Sequence, residues 1–201
     1  MLTLYDHPLS GNCYKVRLAL AQLAVEYKRE YLDIFEGAQH GGDYHRLNPN
    51  RKIPVLIDGE FNIWESNAIL LYLGKKYSPN PLYPEDLETF GAMCQWLFFG
   101  KTSIDPNLAV ARYLLRFASP EQRDERDLNK VQSQGKAALQ VLDSHLEHND
   151  FLAGAYTIAD IACYPYVKTA HQGGVDLSPY PSVILWRDRM ESQPGYISME
   201  E

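Results

Sequence analysis

The chain has 201 residues, 45% of them hydrophobic, with 19 Lys+Arg against 26 Asp+Glu, a net charge of −7 and three cysteines. That length suits two small domains, and three cysteines far apart argue against a secreted disulfide framework. Residues 1–78 carry nine charges of each sign, so the whole net charge falls on the rest of the chain, which argues against nucleic acid as the main partner because phosphate binding needs clustered cations.

No Cys or His spacing suits a metal, so none is expected. The first residues alternate apolar and polar and meet Pro8, giving neither a secretory apolar run nor a membrane span. The expectation is a soluble, cytoplasmic protein with no membrane partner.

A short strand, Leu2 to Tyr5, leads into Pro8-Leu9-Ser10-Gly11-Asn12-Cys13. The helix that follows has Val16, Ala19, Leu20 and Leu23 at i, i+3, i+4, i+7. A helix N-terminus leaves N–H groups unpaired and is partially positive. Ser10, Gly11 and Asn12 therefore make either an ordinary cap or a seat for an anion such as a thiolate, and this stretch alone does not choose between them.

Tyr27 to Leu32 reads as a second strand, parallel to the first through a right-handed crossover. Phe35 to Leu47, with Gly37, Gly41 and Gly42, reads as a loop with one helical turn. Asp58-Gly59, between Val55 to Ile57 and Phe61 to Trp64, is a hairpin signal. Pro54 opens the first hairpin strand without a donor for a sheet ladder, leaving Ile53 able to pair with an extended ligand. Ser66 is read as the cap of a helix with Ile69, Tyr72, Leu73 and Tyr77 on one face.

The order β-α-β, loop, β-β-α folds as a thioredoxin-like α/β domain, residues 1–77. Residues 78–86, with three prolines, are the linker. Residues 87–201 are read as all-helical. Leu87, Phe90, Cys94, Leu97 and Phe98 share a helix, and Leu108 to Phe117 make another. Ser119-Pro120-Glu121-Gln122 is a capping box opening a helix with Val131, Ala138, Leu139, Leu142 and Leu146 on its face. Thr157 to Asp160 is a second capping box, stapled by Tyr156 and Ile161. Pro165 is expected to kink or interrupt its helix, and a last helix runs from near Pro181 to before Pro194-Gly195.

With these motifs in this order, the chain resembles the soluble glutathione transferases, with a serine-type active site. The resemblance covers nearly all of it and rests on four features. They are the Ser10 turn, Asn48-Pro49 followed by Ile53-Pro54, the Glu65-Ser66 pair, and the Thr157 to Asp160 box. It implies glutathione as co-substrate, a helical domain supplying most of the second-substrate pocket, and a homodimer. Ile53 would pair with the cysteinyl backbone, with Pro54 cis. Ser66 would hold the γ-glutamyl carboxylate, Glu65 the amine, and Lys52 with His40 the glycyl carboxylate. Family members often carry glycine where this chain has Arg51, which is an alternative cation to Lys52.

Ser10 would donate a hydrogen bond to the glutathione thiolate, with Asn12 a second candidate. Cys13 completes a C-x-x-C pattern whose first cysteine is serine, and is expected to be a buried apolar residue rather than a redox thiol. Leu9, Phe35, Phe98, Phe99 and Ile104, with Lys101 or Arg112, would line the pocket of a hydrophobic electrophile. The resemblance thus implies conjugation, the chemistry of detoxification. Two alternatives stand beside it: a glutathione-dependent peroxidase or disulfide reductase, and a non-catalytic binding protein of the same fold.

Overall fold

The computed structural model describes residues 1–199 and divides into two compact units, one of residues 1–83 with 194–199, the other of residues 84–193. In the first unit β1 (Leu2–Asp6), β2 (Tyr27–Tyr31), β3 (Val55–Asp58) and β4 (Phe61–Trp64) form a sheet in the order β2-β1-β3-β4. β1 runs parallel to β2 and antiparallel to β3, and β3 is antiparallel to β4. Helices α1 (Gly11–Gln22) and α3 (Ser66–Lys76) join it, and the short α2 (Tyr44–Leu47) lies in the long loop. Leu2, Leu4, Val16, Leu20, Leu56, Ile69 and Leu73 form the core, so the apolar periodicities of β1, α1 and α3 meet where the sequence places them.

Two local readings move by one residue. Asp58 pairs with Phe61, so the hairpin loop is Gly59-Glu60, with the positive φ at Gly59 (+63°). Ser66 is the first residue of α3, and Glu65 is the cap residue, without a side-chain cap bond.

The second unit is helical: α4 (Leu87–Phe99), a π-helical stretch (Gly100–Ala109), α5 (Val110–Arg116), α6 (Glu125–Leu146), α7 (Ile158–Lys168) and α8 (Pro181–Glu191). The π stretch is a departure from the sequence reading, which assumes a period of 3.6. Pro106 lies inside it without an amide hydrogen, while Thr102 Oγ1 donates to the Phe98 carbonyl (2.9 Å) and Asn107 Nδ2 to that of Ser103 (2.7 Å). The buried face of α4 is Met93, Trp96 and Leu97, while Leu87 and Phe98 are exposed.

The Ser119 box closes only a 3₁₀ turn (Pro120–Gln122), and α6 starts anew at Glu125, where Asp124 accepts from the Arg126 amide (2.7 Å). Pro165 sits inside α7 without ending it. Residues 194–199, read from the sequence as part of the helical domain, pack instead within the first unit. No helix among the described residues is long and apolar enough to cross a membrane.

Candidate functional site

Antiparallel pairing brings three separate segments to one end of the sheet. Val55 lies opposite both Tyr5 and Trp64. Ile53-Pro54, the turn after Asp6, and Glu65-Ser66 therefore all leave the sheet at the same edge.

The turn is held by a Ser10 N–H to His7 carbonyl bond of 3.0 Å and by the Leu9 N–H donating to His7 Nδ1 (3.2 Å). Ser10 caps α1: its Oγ accepts from the Cys13 amide at 3.3 Å. A hydroxyl that accepts this bond keeps its own hydrogen to donate. Gly11 and Asn12 hold the next two positions, whose amides have no partner within the helix, and the first turn has no acid to compete for an anion.

The Ser66 hydroxyl donates to Asn12 Oδ1 (3.1 Å) and so ties the N-terminus of α3 to that of α1. Ser66 is buried, and no acid stands in the first turn of α3 either. Glu65 itself has φ +69°, a conformation non-glycine residues adopt at a cost of about 1–3 kcal/mol, and such costs cluster at binding sites.

The Ile53-Pro54 peptide is cis. The preceding residue, Lys52, is anchored through its carbonyl, which accepts from the Tyr44 hydroxyl (2.9 Å) and Asn48 Nδ2 (2.7 Å). Burial pushes the Tyr44 phenol up, keeping it a donor. Arg51 adopts φ +52°, so the left-handed bend that glycine would take freely is kept by an arginine. The side chains of Arg51 and Lys52 are exposed, as is His40 at the end of a 3₁₀ turn (Ala38–His40).

Cys13 is fully buried, and burial pushes its thiol up to about 12. A thiol so placed is protonated at neutral pH and a poor nucleophile. The native protein is expected to resist alkylation at Cys13, and Cys13→Ala to keep its turnover within about twofold of the parent. Peptide mapping after iodoacetamide treatment checks the first; steady-state rates check the second.

The residues expected around a second substrate have different surroundings. Leu9 is half-buried, and Phe35 is half-exposed with its ring edge-on to His7 at 5.2 Å. In the helical unit Phe98 and Lys101 are exposed and Phe99 is partly buried. Ile104 has no exposed surface, and Arg112 is 5% exposed, with Nε donating to Gln172 Oε1 at 2.6 Å. Neither of these two is offered to a ligand. The π stretch adds a residue per turn and rotates the face that a 3.6 period predicts. The helical unit also holds a cavity of about 770 Å³ between the π stretch and α6, edged by Phe99, Thr102, Pro106, Val131, Gln134 and Val141; of the expected pocket residues only Phe99 lines it.

Sequence reasoning missed the charged cluster beneath the turn. Asp6 is fully buried and faces two guanidiniums, Arg17 Nη1 at 2.7 Å from Oδ1 and Arg29 Nε on Oδ2. The available signal was an arginine inside the apolar run Val16-Arg17-Leu18-Ala19-Leu20. Burial lowers the pKa of the adjacent His7, against the pull of Asp33 and Asp6, which fits a neutral ring accepting from Leu9.

The described residues thus form a thioredoxin-like unit, with a capped helix, a cis Ile53-Pro54 peptide and a second helix N-terminus at one sheet end, and a helical unit. Residues 1–75 match the family model "Glutathione S-transferase, N-terminal domain" and residues 104–194 match "Glutathione S-transferase, C-terminal domain". The chain belongs to the glutathione S-transferase family.

It is 33% identical to glutathione S-transferase D7 of Drosophila melanogaster over 97% of this chain and 87% of that one. It is 32% identical to the disulfide-bond oxidoreductase YfcG of Escherichia coli over 97% and 92%. Among solved structures, a glutathione S-transferase from Pseudomonas fluorescens superposes with a TM-score of 0.94 at 36% identity, covering 100% of this chain and 99% of that one. A glutathione transferase from Burkholderia graminis, solved with two glutathione molecules per subunit, has a TM-score of 0.86 at 27% identity, covering 96% and 85%.

Proposed function

We propose that the protein binds glutathione at the sheet end carrying Ser10, Ile53-Pro54 and Glu65-Ser66 and activates its thiol for attack on a hydrophobic electrophile. The observation that carries this reading is the Ser66–Asn12 bond, which joins two acid-free helix N-termini beside the cis Ile53-Pro54 peptide. Glutathione has one thiol, one amine and two carboxylates, and each finds a chemically suited group. The Ser10 hydroxyl donates to the thiolate, with the Asn12 amide beside it. Ile53 pairs with the cysteinyl backbone. The N-terminus of α3 with Ser66 takes the γ-glutamyl carboxylate and Glu65 the amine. Lys52 and His40, or Arg51, meet the glycyl carboxylate.

In the reaction the bound thiol gives its proton to solvent, the thiolate attacks the electrophilic carbon, a sulfur–carbon bond forms, and the leaving group departs with its electron pair. Ser10 acts by stabilising the anion before attack; a serine hydroxyl is too weak an acid to serve as the base. Leu9 and Phe35 supply apolar surface for the electrophile on the first unit. The likeness to the family supports a cytoplasmic homodimer, which sedimentation of the purified protein checks.

A second reading, glutathione-dependent disulfide reduction, is favoured by the likeness to the disulfide-bond oxidoreductase of Escherichia coli. With Cys13 inert, two glutathione molecules would supply both sulfurs. Calorimetric titration with glutathione tests the binding site. Assays with a chloronitroaromatic, an organic hydroperoxide and a small disulfide then separate the two readings. Disulfide turnover without conjugation would replace the first with the second, and absence of binding would overturn both.

A further inference from the structure

We infer that Arg17 is a positioning residue for the thiolate-binding turn, and that residues 194–199 dock along α1 to hold it in that role. The inference rests on the proposed glutathione site and adds residues outside it.

Arg17 lies two helical turns beyond Ser10, one of the largest fully buried side chains, at 1% exposure. Its guanidinium makes three connections: to Asp6 Oδ1 at the end of β1 (2.7 Å), to the Pro8 carbonyl inside the turn (3.3 Å), and to the Met199 carbonyl (2.7 Å). Asp6 and Pro8 flank His7, whose carbonyl accepts from the Ser10 amide, so one planar cation fixes both sides of the residue on which Ser10 hangs. Arg29 pins the other oxygen of Asp6. The charged and titratable groups around the guanidinium are Asp6, Arg29 and His7, with Asp33 beyond His7, together with Tyr14, whose ring centroid lies 5.7 Å from the guanidinium carbon, Cys13 on the same helix and Tyr27 of β2.

Stability alone does not account for this arrangement. Arg17 Nε is buried with no acceptor, and a well-packed apolar side chain serves an interior site at least as well as a buried ion pair does. An arginine, with several donors fixed in one plane, is suited to holding three oxygens at set angles.

The docked segment completes that set. The Tyr14 hydroxyl donates to the Ile197 carbonyl at 2.7 Å, one turn from Arg17 on the same helix. Gly195 approaches the far end of α1 so closely that a Cβ there would lie 3.0 Å from Gln22 Cα and 3.2 Å from the Ala21 carbonyl oxygen, and its φ is +71°. Residues 195, 197 and 199 thus each touch α1, and the Arg17–Met199 bond is the one that reaches the turn.

The test uses the full-length chain with Arg17→Met, Arg17→Lys and Gly195→Ala, the last remote from every glutathione contact. Glutathione affinity by calorimetry, the pH at which bound glutathione ionises by ultraviolet thiolate absorbance, and thermal midpoints are measured together. Arg17→Met and Gly195→Ala are expected to weaken glutathione binding about tenfold and to raise the ionisation pH of the bound thiol by about one unit. Arg17→Lys, which keeps the charge and one bond to Asp6, recovers part of both. If Arg17→Met fails to fold, Gly195→Ala carries the test. Folded variants with lowered thermal midpoints but parental affinity and parental thiol ionisation would overturn the inference, leaving a purely structural role. Failure of the parent protein to bind glutathione would instead overturn the proposed function, and this inference with it.

Discussion

Replacing Ser10 with alanine is expected to move the pH dependence of kcat/KM for glutathione conjugation upward by about one to two pH units. The free thiol, with a pKa near 8.5, is only a few per cent ionised at pH 7, so the enzyme's task is to favour the anion. A hydrogen bond to a charged partner contributes about 1.5–3 kcal/mol, equivalent to about one to two pKa units. The variant should therefore lose about ten- to hundredfold at pH values well below the parent's bound-thiol pKa, about three- to 25-fold at pH 7 if that pKa is about 6.5, and regain most of it above the raised pKa. The Cys13 amide that Ser10 caps loses its partner as well, at about 1 kcal/mol of stability, a cost that does not depend on pH. Asn12→Ala should act differently. Its Oδ1 is bonded to the Ser66 hydroxyl, so its removal loosens the link between α1 and α3 and raises KM for glutathione more than it moves the profile. An unmoved profile in Ser10→Ala, with a moved one in Asn12→Ala, would transfer the thiolate role to Asn12.

What the sequence revealed followed the range of the forces involved. The Ser10 cap, the hairpin and the Thr157–Asp160 box are made by residues two to four apart, and each is present within a residue of its expected place. The cis peptide at Ile53-Pro54 agrees with what the family resemblance implies. Features built by distant residues were not legible. Asp143 of α6 accepts from the Ser182 and Val183 amides and so caps α8 from another helix, which leaves no local signature beside Pro181. The docking of residues 194–199 on α1 relies on backbone carbonyls, which any sequence supplies. The π stretch departs from the single turn length that a periodicity reading carries through a whole helix, and Ile104, which lies within it, is buried. Arg51 shows the opposite failure. The preference of its bend for glycine is real, yet the surrounding bonds from Tyr44 and Asn48 to Lys52 hold the bend with an arginine in place.

Asp160 should produce the largest loss of stability in the helical unit. Its carboxylate is fully buried. Oδ1 accepts from the Leu152 amide (3.0 Å) and Trp186 Nε1 (2.9 Å), and Oδ2 from the Thr157 amide (2.9 Å) and the Thr157 hydroxyl (3.4 Å). Asp160→Ala strands four buried donors at once, from the loop before α7, its cap and α8. The expected cost is about 3–5 kcal/mol, read from the thermal or urea midpoint. Asp160→Asn keeps the volume but turns an NH₂ toward one set of donors, and should cost less. The pair also reports a pH effect whose sign is fixed. Burial pushes the carboxyl up to about 6 despite its donors. Its folded pKa thus lies above the unfolded one, and between about pH 4 and 6 the folded state holds the extra proton. The contribution of Asp160 to stability is therefore greatest below that window and falls as pH rises through it, by about 3 kcal/mol across the window at about 1.4 kcal/mol per pH unit. The stability gap between the parent and Asp160→Asn should narrow from about pH 4 to about pH 6 and stay level above it. A gap that widens over that range would mean that the four donors hold Asp160 ionised throughout, with a depressed pKa in place of a raised one.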